Sequence, residues 1–216
     1  MPEPQRDVIL TRTTLLELQE EQRLAREGYE LLDEKRILLA ADILRRLARL
    51  RVLSAQFAAA AEQASGALRA ALARHGLDEL AVYPVLSMSE DRIETHRSRL
   101  LGLELIEAHW EPAPPRQSEQ AVWPSSEARA CALAHRACLA PLAELAACCT
   151  SLRRLKREYV RTERRTRAIE NVLLPELGSL LAVIEEQLES SAQEEIARLR
   201  EASSQGPGGG LTASKR

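Results

Sequence analysis

The chain has 216 residues, of which 45% are hydrophobic, 29% charged and only 3% aromatic, and its formal net charge is -2. So few aromatic side chains amid abundant Ala, Leu, Glu and Arg exclude a thick globular core and favour extended helices whose core is a seam. The near-neutral balance excludes strong whole-molecule attraction to nucleic acid or anionic lipid, and no run reaches the roughly 18 apolar residues of a membrane span.

Residues 1–10 read as an N-terminal extension. Met1-Pro2-Glu3-Pro4 lacks the basic start and apolar core of a secretory signal, which points to an intracellular protein with reduced cysteines. Residues 11–75 then carry a heptad-like seam through Leu15, Leu18, Gln22, Ala25, Tyr29, Leu32, Arg36, Leu39 and Ile43. The apolar pattern resumes at Leu47, Leu50, Ser54, Phe57, Ala61, Ala64, Leu68 and Ala71, which predicts a stutter after Ile43. Gly28, Gly66 and Gly178 read as points where a neighbouring backbone approaches closely.

Residues 76–125 form a central insert punctuated by Pro84, Pro112, Pro114, Pro115 and Pro124. Arg92–His96 and Leu103–Ile106 alternate as short strands around Gly102 and predict a small β-hairpin at the far end of the molecule. Residues 126–203 return to helical periodicity through Cys131, Ala134, Cys138, Pro141, Leu145, Cys148, Leu152, Leu155, Tyr159, Thr162, Thr166, Ile169 and Leu173, then shift to Leu177, Leu180, Ile184 and Leu188. Pro141 and Pro175 predict bends or breaks within that stretch. Residues 204–216 are Gly/Ser-rich and predict a disordered tail.

Each long stretch would extend about 95 to 115 Å as a straight helix. Folding back on each other buries both seams within one chain. The expected fold is therefore all-α, a long antiparallel two-helix coiled coil with a short central insert. Parallel self-association is the competing arrangement.

The residues offer no site for chemistry. Cys131, Cys138, Cys148 and Cys149 lack paired metal-ligand spacing, as do His75, His96, His109 and His135, so no metal or cofactor is expected. No phosphate loop, nucleophile elbow or paired-carboxylate arrangement stands out, so no catalytic residue is assigned. A basic band, Arg45, Arg46, Arg49 and Arg51 opposite Arg153, Arg154, Lys156, Arg157, Arg161, Arg164, Arg165 and Arg167, is either a solvated face or a binding surface for an acidic protein or a phosphate backbone, the protein being favoured. It lacks interleaved aromatics for stacking nucleic-acid bases.

Two terminal signatures carry a resemblance. Leu10-Thr11-Arg12-Thr13-Thr14-Leu15-Leu16-Glu17-Leu18, with Leu24-Ala25, Gly28, Leu31-Leu32 and Lys35-Arg36, resembles the N-terminal helix of the D subunit of V-type and archaeal-type (A-type) rotary ATPases. Leu152-Arg153-Arg154-Leu155, Thr162-Glu163-Arg164-Arg165-Thr166-Arg167-Ala168-Ile169-Glu170-Asn171-Val172-Leu173-Leu174-Pro175, Ile184–Glu189 and Ala197–Arg200 resemble its C-terminal helix. Thr14 and Arg167 replace asparagines common in the family.

The resemblance implies a non-catalytic central rotor shaft, the central stalk of the complex, cytoplasmic and peripheral to the membrane. Its partners would be the A, B and F subunits and the funnel-shaped subunit linking to the membrane ring, with no direct nucleotide or nucleic acid binding. In that role Arg12, Arg161, Arg164, Arg165 and Arg167 are expected to make contacts within the shaft or with its partners, and Pro175 to set shaft curvature. The residues alone also permit a coiled-coil scaffold or adaptor unrelated to rotary motors, with the insert as its recognition head.

Overall fold

The computed structural model describes residues 11–84, 90–113 and 124–204. The expected N-terminal extension, Pro114, Pro115 and the expected disordered tail beyond Ser204 lie outside the described residues. In chain order the elements are α1 (Arg12–Leu80), β1 (Arg92–Leu100), β2 (Leu103–Glu111), α2 (Ser126–Ala137), α3 (Leu139–Ala168), a π-helix (Ile169–Leu173) and α4 (Leu174–Ser204). They divide into two compact units, one made of residues up to Asp33 and from Glu163 onward, the other of Glu34–Thr162.

In the first unit, Leu18 and Ala25 of α1 form an apolar cluster with Leu177, Leu181 and Ile184 of α4. Leu15, Leu173, Leu180 and Leu188 close its flanks. These are the positions the two seams predict, with Leu181 added, and they confirm the pairing of the chain's early and late helices.

In the second unit, cross-helix partners run in opposite directions. Lys35 pairs with Glu158, the Cys148 thiol donates to the Arg46 carbonyl, Arg49 pairs with Glu144, and Arg74 pairs with Glu127. Numbers rise along α1 as they fall along α3 and α2, so the helices are antiparallel. Apolar side chains between them leave water while charges stay at the margins.

The α1 seam departs from the expected stutter. It keeps its three-four rhythm past Ile43 through Arg46, Leu50, Leu53 and Phe57, while Leu47 is 40% exposed and Leu53 only 5%. The misleading residue is Arg46: its charge hides a seam position, yet its side chain is only 16% exposed and its Nε donates to buried Asp42 at 2.9 Å.

The glycine expectation also fails. A Cβ added at Gly28 or Gly66 would meet nothing within 4 Å, and at Gly178 it would reach only the Gln22 amide, at 3.9 Å. No close backbone approach requires these residues. Gly66→Ala should therefore raise unfolding free energy by about 0.4–1 kcal/mol, read from a denaturant midpoint at unchanged slope, because alanine narrows the unfolded ensemble without a clash.

Prolines fall where helical donors are spared. Cys138 interrupts the helix between α2 and α3, so Pro141 stands in the first turn of α3, where a backbone N–H has no intrahelical partner. Pro175 lies one residue past the cap of the π-helix, Leu174, whose N–H reaches back to the Ile169 carbonyl. That one widened turn takes up the extra residue responsible for the seam shift from Leu173 to Leu177.

The insert holds the predicted hairpin, with longer strands than the alternation suggested. Nine antiparallel pairs run from Arg92↔Glu111 to Leu100↔Leu103. Leu101 and Gly102 both have positive φ, 50° and 83°, the requirement of the two-residue turn that matches strand twist. The hairpin does not project from the helix ends as expected. It lies back along its own unit, with Leu105 packed between Leu39 and Leu155 beside Ile43, Leu103 and Tyr159.

Candidate partner-contact surfaces

Arg12 is the first residue of α1 and is exposed. Thr11 caps that helix by accepting from the Thr14 N–H at 3.2 Å. A cation in the first helical turn opposes the helix dipole, so helix stability does not account for Arg12.

Arg161, Arg164, Arg165 and Arg167 occupy the last turns of α3, all exposed, around buried Thr162 and Thr166. The small seam threonines let the helix pack while four guanidinium groups point outward. Arg167 donates to Glu163 at 2.6 Å. Among the described residues no carboxylate pairs with Arg161, Arg164 or Arg165. Arg161 belongs to the second unit and the other three to the first. Pro175 is exposed on α4, one residue beyond the Leu174 cap of the π-helix.

The hairpin is fixed at its base and along one edge by contacts that periodicity did not reveal. At the base, buried Arg136 of α2 pairs with Asp91, donates to the Ala113 carbonyl at 2.7 Å and stands 5.7 Å over the Trp110 ring. Burial pushes the Asp91 carboxyl up, but hydrogen bonds from the Ala113 N–H and Arg136, and the charge of Arg136, outweigh it and hold it below the usual range.

Along the edge, the Ser151 hydroxyl accepts from the Ile106 N–H at 2.9 Å and donates to the Ile106 carbonyl at 2.8 Å. Ser151 is fully buried although it lies off the α3 seam, because the hairpin covers a second face of that helix. Ser151→Ala should cost about 1–3 kcal/mol, measured by chemical denaturation, since both buried backbone groups lose their partner.

The junction of α1 with α2 is polar. Ser125 caps α2 through the Ala128 N–H at 3.3 Å and lies 2.7 Å from His75 Nε2, while Glu127 pairs with Arg74. The Ser126 hydroxyl, the Glu127 backbone N–H and Arg74 draw the Glu127 carboxyl from 4.5 down to about 2. A depressed folded value means that the unfolded chain takes up this proton first as pH falls. Its stabilisation is therefore complete above about 4.5 and lost towards 2. Glu127→Gln should flatten that part of the stability profile, read as urea midpoints across acidic pH.

The four cysteines are free thiols, Cys131 and Cys148 buried. Burial and neighbouring Cys149 push the Cys148 thiol up, away from reactive thiolate. Among the described residues no group of three or more His, Cys, Asp or Glu comes together as a metal site, and no helix is long and apolar enough to cross a membrane.

Comparison with known proteins gives a consistent result. The family of ATP synthase D subunits matches residues 14–204. A V-type ATP synthase D subunit of Thermotoga neapolitana is 25% identical over 190 residues, covering 88% of this chain and 94% of its own. The second V-type ATP synthase D subunit of Treponema pallidum is 24% identical over 184 residues, covering 85% and 88%.

Proposed function

The chain belongs to the family of ATP synthase D subunits, and from that membership we propose that it is the central rotor shaft of a V-type/A-type ATPase or ATP synthase. Membership makes it a subunit of that complex, with other subunits as partners. In the proposed role it turns within a ring of A and B subunits, binds the F subunit, and seats on the funnel-shaped subunit of the membrane ring. Torque along it couples ATP hydrolysis or synthesis to proton or sodium transport, while phosphoryl transfer stays with the ring. The expectation of an unrelated scaffold gives way to the family assignment.

The observation that best supports this reading is the division of labour along the helices. Each unit hides an apolar seam between long helices and turns charge outward. A torque-bearing part must resist twisting internally while sliding against several neighbours, and this arrangement serves both needs. It must also be asymmetric, because a surface that binds every state of the ring equally would shift none. The π-helix with Pro175, and a hairpin on one flank of its unit, supply asymmetry.

Affinity purification of the tagged chain from its native cell tests the proposal. Recovery with the A, B, F and funnel-shaped subunits is expected. Recovery without a catalytic ring would refute it.

A further inference from the structure

The two edges of the hairpin end differently. The outer edge of β2 is closed by α3: Ile106 exchanges both backbone bonds with Ser151, and the Glu104 carbonyl accepts from Arg154 at 2.7 Å. Backbone groups that turn away from β1 belong to non-hydrogen-bonded pairs, and the register sets Ile106 opposite Arg97 and Glu104 opposite Arg99. Alternation then directs the N–H and C=O of Ile93, Thr95, Arg97 and Arg99 outward from the free edge of β1.

That edge is open. All four residues are exposed, Ile93 to 64%, and nine consecutive pairs run without a bulge. The strand, Arg-Ile-Glu-Thr-His-Arg-Ser-Arg-Leu, contains no proline to obstruct pairing and sets three arginines against one glutamate. Arg97 is held by Glu104 at 3.2 Å, whereas Arg92 and Arg99 have no ion pair among the described residues.

We infer that β1 is a docking edge for an extended acidic segment of another protein, which adds to the hairpin as a third strand. The four outward backbone positions supply the ladder, and charge selects the occupant. Ile93, Thr95, Arg97 and Arg99 share one face, so an antiparallel neighbour places acidic residues opposite Arg99 and Arg97 and an apolar residue opposite Ile93. Charge on an edge discourages indiscriminate pairing and leaves a strand of opposite sign as the favoured neighbour. A second copy of β1 would double the positive charge instead.

The inference does not depend on the rotor proposal and is tested on the full-length chain alone. Backbone amide exchange is followed by NMR while a synthetic peptide of about nine residues, with glutamates in register with Arg97 and Arg99 and valine with Ile93, is added. At about ten times its Kd, the Thr95, Arg97 and Arg99 amides should exchange roughly ten-fold more slowly, whereas Ser98, already paired with Leu105, changes less. A lysine version of the peptide should give no slowing.

Thr95→Pro removes one outward N–H while sparing the β1–β2 ladder and should abolish binding. Arg97→Glu with Arg99→Glu, a second route that leaves the backbone alone, should transfer the preference to the lysine peptide. Unchanged alternate amides, equal binding of the lysine peptide, binding indifferent to both variants, or self-association through β1 in place of peptide binding would each overturn the inference.

Discussion

Leu155→Ala should lower unfolding free energy by about 2–5 kcal/mol, a large part of the stability of an ordinary domain. Leu155 is fully buried and meets Leu39 from α1 and Leu105 from β2, so one side chain joins three elements. Truncation removes its transfer free energy and leaves a cavity that three separately anchored elements cannot readily close. Leu39→Ala should cost a similar amount, and the double variant should fall short of additivity by about 0.5–3 kcal/mol because the two share that cavity. The informative control is on α1, where Leu53→Ala should be far more damaging than Leu47→Ala. Equal losses at these two positions would restore the stutter and contradict the uninterrupted seam.

Charge reversal at Arg164 and Arg165 should do the opposite, sparing the fold and harming the assembly. Both guanidinium groups are exposed and unpaired among the described residues, so isolated stability should move by no more than about 0.5 kcal/mol. If they contact acidic surfaces of the proposed ring, reversal creates like-charge contacts costing several kcal/mol, equivalent to roughly 10²-fold or more in affinity. Arg164→Glu with Arg165→Glu should reduce ion transport per ATP hydrolysed in the reconstituted complex. Unimpaired coupling would remove these residues from the contact surface.

Most of the helical pairing was legible because burial follows periodicity. Leu18, Ala25, Leu39, Leu155, Leu177 and Ile184 lie where apolar residues recur at coiled-coil spacing. The hairpin was legible in part, from the alternation on either side of Gly102. Its placement was not, since the contacts that fix it, Ser151 to Ile106 and Arg136 to Asp91, join single polar residues separated by 45 positions. Arg46 misled because a seam position can be filled by an aliphatic stem as well as by leucine.

Locking the chain to its surroundings tests the rotor most directly. A cysteine introduced in place of exposed Arg164 is oxidised to a disulfide with a cysteine placed opposite it in the catalytic ring of the assembled complex, and ATP turnover is measured before and after reduction. A rotor predicts that turnover stops on cross-linking and returns with reductant. Undiminished turnover by fully cross-linked complexes would show that the chain need not move, and the account would fail.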